Sequence, residues 1–291
     1  MPFRLSGTEI RSARVSRNSP FMAGAETLTV TSREAQGNAL FCLLRLRPLH
    51  KNGIVGLGTG NGTQEDVRML EVQGIKKSYG KARILKDISF TAEPGECVGI
   101  AGGNGCGKTT LLSVLAGALK ADGGSIRFDG KEAVGHPKVF ADSAAYVPQE
   151  NPLIEELTVR DNFRLWYRGG HGSLEAAMKS DAAVMLGVDA MAKKQAGKLS
   201  GGMKKRLSIA CALSNQAPVL ILDEPGAALD LKCRADIRAY LKHYLTGGGT
   251  VILTSHDMEE LALCTKLFIL RDGILNREDP GISEERLISC F

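Results

Sequence analysis

The sequence predicts an α/β fold built on a parallel sheet, and three observations carry that prediction. Gly102-Gly103-Asn104-Gly105-Cys106-Gly107-Lys108-Thr109 fits the phosphate-cradling pattern GxxxxGK followed by Ser or Thr, set between the strand-like stretch Glu96 to Ala101 and the helix-like stretch Thr110 to Gly117. The continuous apolar run Val219 to Leu222 ends in Asp223-Glu224, as a strand buried on both faces would. From Lys204 onward a helix, the strand 219–222, a second helix, the strand 250–254 and a third helix alternate, which is the order of a parallel sheet.

Taken along the chain, residues 1 to 68 are rich in Gly, Ser, Thr, Asn and Arg and keep no period of 3.6 or 2, so no stable fold is predicted for them. An artefactual extension, an Arg-rich transit peptide and an accessory arm are the three readings of that stretch. The first is favoured, because Met69-Leu70-Glu71-Val72 leads straight into ordered-looking sequence. Short strands with turns follow at 70–72, 88–91, 98–101 and 125–128, punctuated by Asp122-Gly123-Gly124 and Asp129-Gly130, and they predict an antiparallel β portion around the phosphate loop. From Thr158 to about Gly197 the pattern turns helical, with 174–186 rich in Ala, Met and Leu, so a helical insertion of about 155–200 is expected within a domain spanning 69–291. No internal repeat is visible, hence one nucleotide-binding unit.

Hydrophobic residues make up 43% of the 291, enough for a sizeable core. The longest apolar runs, such as 219–222 and 267–270, are strand-length and far below the ~20 residues that span a bilayer. The net charge is +5, but residues 1 to 68 carry nine Lys and Arg against five Asp and Glu, which leaves the remainder nearly neutral. A nonspecific nucleic-acid binder needs a clustered basic face, so nucleic acid is not expected as a partner. Seven cysteines without a CxxC pair point to a reducing compartment, and most of them read as small buried hydrophobes. Cys106 is different, since a bulky thiol reagent inside the phosphate loop should block nucleotide entry.

In the phosphate loop, glycines let successive N–H groups and the helix N-terminus face the anion. Lys108 adds a mobile positive charge, and the Thr109 hydroxyl is suited to Mg2+. Asp223, delivered by its strand to the nucleotide edge of the sheet, would hold Mg2+ through its water shell, and Glu224 would orient or deprotonate the attacking water. Leu199-Ser200-Gly201-Gly202-Met203 opens a second helix and forms a second anion site, which should serve a second nucleotide because the first loop already holds its own.

Together these segments resemble the ATP-binding cassette of an ABC transporter over residues 69–291. Gly102 to Thr109 resembles its Walker A, Leu199 to Met203 its signature and Leu220 to Glu224 its Walker B. The resemblance implies a P-loop cassette with a RecA-like parallel sheet core, an antiparallel β subdomain and an α-helical subdomain. It implies ATP and Mg2+ as cofactors, with Tyr79 stacking on adenine and with Gly102, Asn104, Gly105, Cys106, Gly107, Lys108, Thr109 and Thr110 around the phosphates. Catalysis would fall to Glu224, His256, Gln149 and Lys108, and the metal to Thr109, Gln149 and Asp223. Ser200, Gly201, Gly202 and Asp230 would meet the nucleotide of a second cassette in a head-to-tail dimer, with homodimer and heterodimer both open.

Two positions depart from the commonest pattern, Met203 where many cassettes have Gln and Gly226 where many have Thr; neither supplies catalytic charge. The wording from Glu150 to Phe163 and the run Ser200 to Arg206 look most like bacterial exporters whose membrane domains are separate polypeptides. The implied setting is therefore peripheral, at the cytoplasmic face of the inner membrane, beside a transmembrane permease subunit. Leu153, Phe163, Trp166 and Tyr167 either line a groove for a short coupling helix or belong to the helical core. A soluble ABC ATPase, acting in cofactor assembly for example, is the alternative function.

Overall fold

The computed structural model describes residues 3–5, 8–10, 13–16, 27–30, 70–170 and 172–291. Residues 1–45 and 46–291 are two separate units. In the first, β1 (Phe3–Leu5) pairs antiparallel with β2 (Thr8–Ile10), and β3 (Ala13–Ser16) with β4 (Thr27–Val30). The expectation of no stable fold for 1–68 falls mostly on residues outside those described, as does Cys42.

The second unit is organised by one ten-stranded sheet. Five of its strands run parallel, in the order β10 (Ala144–Val147), β11 (Val219–Asp223), β12 (Thr250–Thr254), β7 (Cys97–Ala101) and β13 (Lys266–Arg271). β7, β11 and β12 are buried at every residue, which is why their sequences read as unbroken apolar runs rather than as alternation. β14 (Ile274–Glu278) turns back antiparallel on β13 and meets the antiparallel layer through a single pairing, Ile274 with Asp87. That layer consists of β6 (Ala82–Ala92), β5 (Leu70–Tyr79), β8 (Gly123–Phe128) and β9 (Lys131–Glu132). The predicted β portion is thus continuous with the parallel core.

The helices lie on two cores. One, with Leu111, Leu112 and Leu115 of α1 (Lys108–Leu115), packs Val98, Ile100, Ile221 and Ile252 against the antiparallel layer; the α2 (Pro137–Ser143) residue Phe140 joins it. The other packs the opposite face of β7, β11 and β12 against α3 (Val159–Trp166), α4 (Leu174–Ala177), α5 (Asp181–Met185), α6 (Gly201–Ala212) and α7 (Leu231–Thr246). Each fully buried Leu or Ile contributes roughly 1.5–3 kcal/mol. α8 (Met258–Leu261) and α9 (Glu284–Ser289) complete the chain. The helical stretch that the sequence predicts over 158–197 is present, broken into short pieces opened by side-chain caps from Thr158, Ser173 and Ser180.

Four of the candidate segments leave the C-terminal ends of parallel strands. β7 leads into the phosphate loop, β10 to Gln149, β11 into Asp223-Glu224 and β12 to His256. Adjacent strand ends therefore place four sequence-distant residues side by side.

Candidate active site

The loop from Gly102 to Gly107 crosses from β7 to α1 over closely packed neighbours. At Gly107 φ is 109°, and a Cβ there would stand 2.7 Å from a methyl carbon of Ile84. At Gly102 a Cβ would stand 2.5 Å from the Leu270 carbonyl oxygen, so both positions require glycine for space as well as for the turn. Lys108, only 7% exposed, donates to the carbonyls of Gly102 at 2.7 Å and Gly103 at 3.2 Å. Its charge is held at the loop, with Thr109 exposed on the first turn of α1. A cavity of about 550 Å³ beside the loop is lined by Asn104, Cys106, Arg83, Lys86, Arg271 and Phe291, and Cys106 is half-buried there.

Asp223 is 2% exposed. Its Oδ1 accepts from the Thr254 hydroxyl at 2.6 Å, while its buried Oδ2 takes no hydrogen bond. An orphaned carboxylate oxygen in a buried site is costly, and a divalent cation satisfies it. Among the described residues no three His, Cys, Asp or Glu side chains form a metal cluster. That suits Mg2+, which binds through one or two carboxylates plus substrate phosphates rather than in an all-protein cage.

Glu224 has φ 45°, an uncommon conformation for a side-chain-bearing residue, and its N–H donates to both the carbonyl and the hydroxyl oxygen of Thr254 at 3.1 Å. The twist turns its carboxylate towards two partners. Gln149 Nε2 donates to Oε2 at 3.2 Å, and His256 Nε2 stands 3.7 Å from Oε1. Partial burial, and then the Lys108 charge, hold the His256 pKa below its ordinary value against the opposing pull of Glu224. The imidazole is thus neutral around pH 7 and available to donate or accept. The Phe291 ring meets it edge-on, 5.5 Å between centroids.

A second group forms at the start of α6 and α7. Ser200 caps α6 by accepting from the Met203 N–H at 3.3 Å, and Asp230 caps α7 by accepting from the Cys233 N–H at 2.8 Å. A Cβ at Gly202 would lie 2.6 Å from Cys233 Sγ and 3.8 Å from Asp230 Oδ2, so the Ser-Gly-Gly tip and Asp230 are packed together. Ser200, Gly201 and Asp230 are exposed. Tyr79, at the end of β5, is 53% exposed and has the Lys77 ammonium 5.7 Å from its ring centroid.

The structure therefore gathers Lys108, the phosphate loop, Asp223, Glu224, Gln149 and His256 into one group, and Ser200 to Gly202 with Asp230 into another. Leu153 is 5% exposed and Phe163 fully buried, so both belong to the helical core and neither lines a groove; Trp166 and Tyr167 are half-buried on the same core. At Gly226 a Cβ would stand 2.2 Å from Glu260 Oε1, which accounts for the missing Thr there. Sequence reasoning passed over Thr254, whose hydroxyl joins Asp223 to Glu224 and which was marked only as a strand end. It also passed over Phe291 and over Lys205, whose buried ammonium donates to the carbonyls of Pro148 and Gln149 and whose pKa burial pulls down to about 8.

Such a fold and site define a nucleotide-hydrolysing cassette. The ABC transporter family matches residues 85–227. The chain is 38% identical over 207 residues to Nod factor export ATP-binding protein I of Paraburkholderia xenovorans (strain LB400), covering 70% of this chain and 68% of that one. It is 37% identical over 209 residues to linearmycin resistance ATP-binding protein LnrL of Bacillus subtilis (strain 168), covering 70% and 67%. A solved ATP-binding cassette, dimeric in a post-hydrolysis state with ADP and Pi, superposes with a TM-score of 0.65 at 26% identity, over 74% of this chain and all of that one. An ATP-binding subunit of an ABC transporter shares the fold at TM-score 0.68 and 24% identity, over 76% of this chain and 98% of that one. The chain belongs to the ABC transporter family, as an ATP-binding cassette with ATPase activity. Among the described residues no helix is long and apolar enough to cross a membrane.

Proposed function

We propose that this cassette powers export of a substrate across a membrane through a separate transmembrane permease subunit, working as a head-to-tail dimer at the cytoplasmic face of the plasma membrane. The observation that carries the reading is the convergence of Gln149 and His256 on Glu224, one residue from the orphaned Asp223 oxygen. The export direction draws support from the two relatives, one an export protein and the other a resistance protein by name.

In this reading the phosphate-loop amides and Lys108 receive the β- and γ-phosphates, and the exposed ring of Tyr79 offers a face to the adenine. Thr109, Gln149 and Asp223 hold Mg2+, which when bound neutralises charge on the phosphate oxygens. Glu224 takes the proton of the attacking water, Gln149 keeps its carboxylate aimed, and neutral His256 steadies the far side of the same carboxylate and reaches the γ-phosphate. Ser200, Gly201, Gly202 and Asp230 complete the site of the other cassette, since a capped, exposed helix N-terminus is an anion site with no phosphate of its own to hold.

Affinity purification of the tagged chain from detergent-solubilised membranes of its own cells tests the permease. Recovery with a polytopic membrane protein that stimulates the ATPase is expected. Recovery with soluble proteins alone would instead support an ATPase of cofactor assembly.

A further inference from the structure

Lys205 lies one turn into α6, the helix that starts at the Ser-Gly-Gly tip, and is 3% exposed. Its ammonium donates to the carbonyls of Pro148 at 3.1 Å and of Gln149 at 2.9 Å. Pairing between β10 and β11 stops at Val147 with Leu222, so the sheet offers those two carbonyls no partner. Two further bonds run the same way. Ser208 Oγ meets Asn151 Oδ1 at 3.2 Å, and Lys204 Nζ meets Glu155 at 2.5 Å. The segment 148–155 is therefore fastened to α6 at three points. Of these, only the Lys205 contact reaches the residue whose side chain donates to Glu224.

A buried ammonium costs several kcal/mol of desolvation, which a methionine of similar length would not incur. What lysine adds is a charged double donor that grips two backbone carbonyls at once. We propose that Lys205 is a positioning residue that locks the Gln149 backbone to α6, so that a triphosphate seated on Ser200 to Gly202 by the partner cassette is transmitted to the Gln149 amide on Glu224. Nucleotide capture in one site then sets the catalytic geometry of the other. The inference rests on the dimeric reading above, and Lys205 itself touches no substrate.

The test compares full-length wild type with Lys205→Met and Lys205→Arg. ATP affinity is read with a fluorescent ATP analogue, and KM, kcat and the Hill coefficient from steady-state phosphate release. For Lys205→Met the affinity should stay within about twofold, kcat should fall about tenfold or more, and the Hill coefficient should drop from about 2 towards 1. Lys205→Arg, which keeps a charged donor, should recover most of kcat. Lys205→Gln, too short to grip both carbonyls, should show the same split and stands in if the Met variant does not fold. A folded Met or Gln variant with wild-type kcat and Hill coefficient, or one that loses ATP affinity while kcat holds, overturns the proposal. Cooperative wild type beside a cooperative Met variant sinks Lys205 alone, whereas a wild type with neither cooperativity nor ATP-dependent dimers sinks the dimeric reading with it.

Discussion

The edge of the parallel sheet and the helical region beside it are built on opposite plans. β7, β11 and β12 are buried throughout and bonded to one another in register, and their polar groups appear only where the strands end. The helical region is made of helices of four to eight residues held by side-chain caps and polar ties. Asn162 bonds to Ile154 and Thr158, and Asn215 to the Trp166 carbonyl. A strand edge locked by packing holds the residues at its end within the tolerance that catalysis demands. A region of short capped helices has lower local stability and is the part suited to move as a unit. Gln149 sits where the two plans meet, its side chain on the sheet's carboxylate and its backbone on the helix.

If this contrast holds, damage at the sheet edge should strike chemistry and damage in the helical region should strike stability and coupling. Glu224→Gln should cost ~100 to 1000-fold in kcat while ATP binding persists, measured by phosphate release and nucleotide retention. A bulky maleimide on Cys106 should abolish ATP binding, with prior ATP protecting and Cys106→Ala insensitive; complete Cys106 labelling with undiminished binding would place that thiol away from the nucleotide. In the helical region, Thr158→Ala removes the oxygen that accepts from the Asp161 N–H at 3.1 Å. It should cost ~1 kcal/mol in denaturant unfolding and leave the kcat of the purified cassette near wild type.

The smallest expected effect is a pH dependence. With the His256 pKa depressed in the fold, the unfolded chain binds the extra proton first as pH falls through about 6.5, so folding stability should decline below that pH until the folded imidazole also protonates. Melting temperatures across this window should slope less in His256→Asn than in wild type.

The phosphate loop and the Asp223-Glu224 strand were legible because each is a local pattern, glycines at fixed spacing in one case and an apolar run ended by carboxylates in the other. Gln149 and His256 carry no local signal of that kind. They entered through the family resemblance, and only the order β10, β11, β12 brings them to Glu224. Strands β10 and β14 were missed for different reasons, the first being four residues with little period and the second largely exposed and polar. Lys205 gives no sign of its role in the sequence, because residue type does not reveal which of the three neighbouring cations Lys204, Lys205 and Arg206 is buried. Its partners lie 56 and 57 residues away in sequence, so nothing short of the fold could show them.

On the dimeric reading, the sheet-edge group and the Ser-Gly-Gly group complete one site only between two cassettes. Light scattering on Glu224→Gln with and without Mg-ATP tests it most directly. Twice the monomer mass is expected when Mg-ATP is present, with a return towards the monomer when Ser200→Arg is added. A monomer under both conditions, with ATP bound, would contradict it.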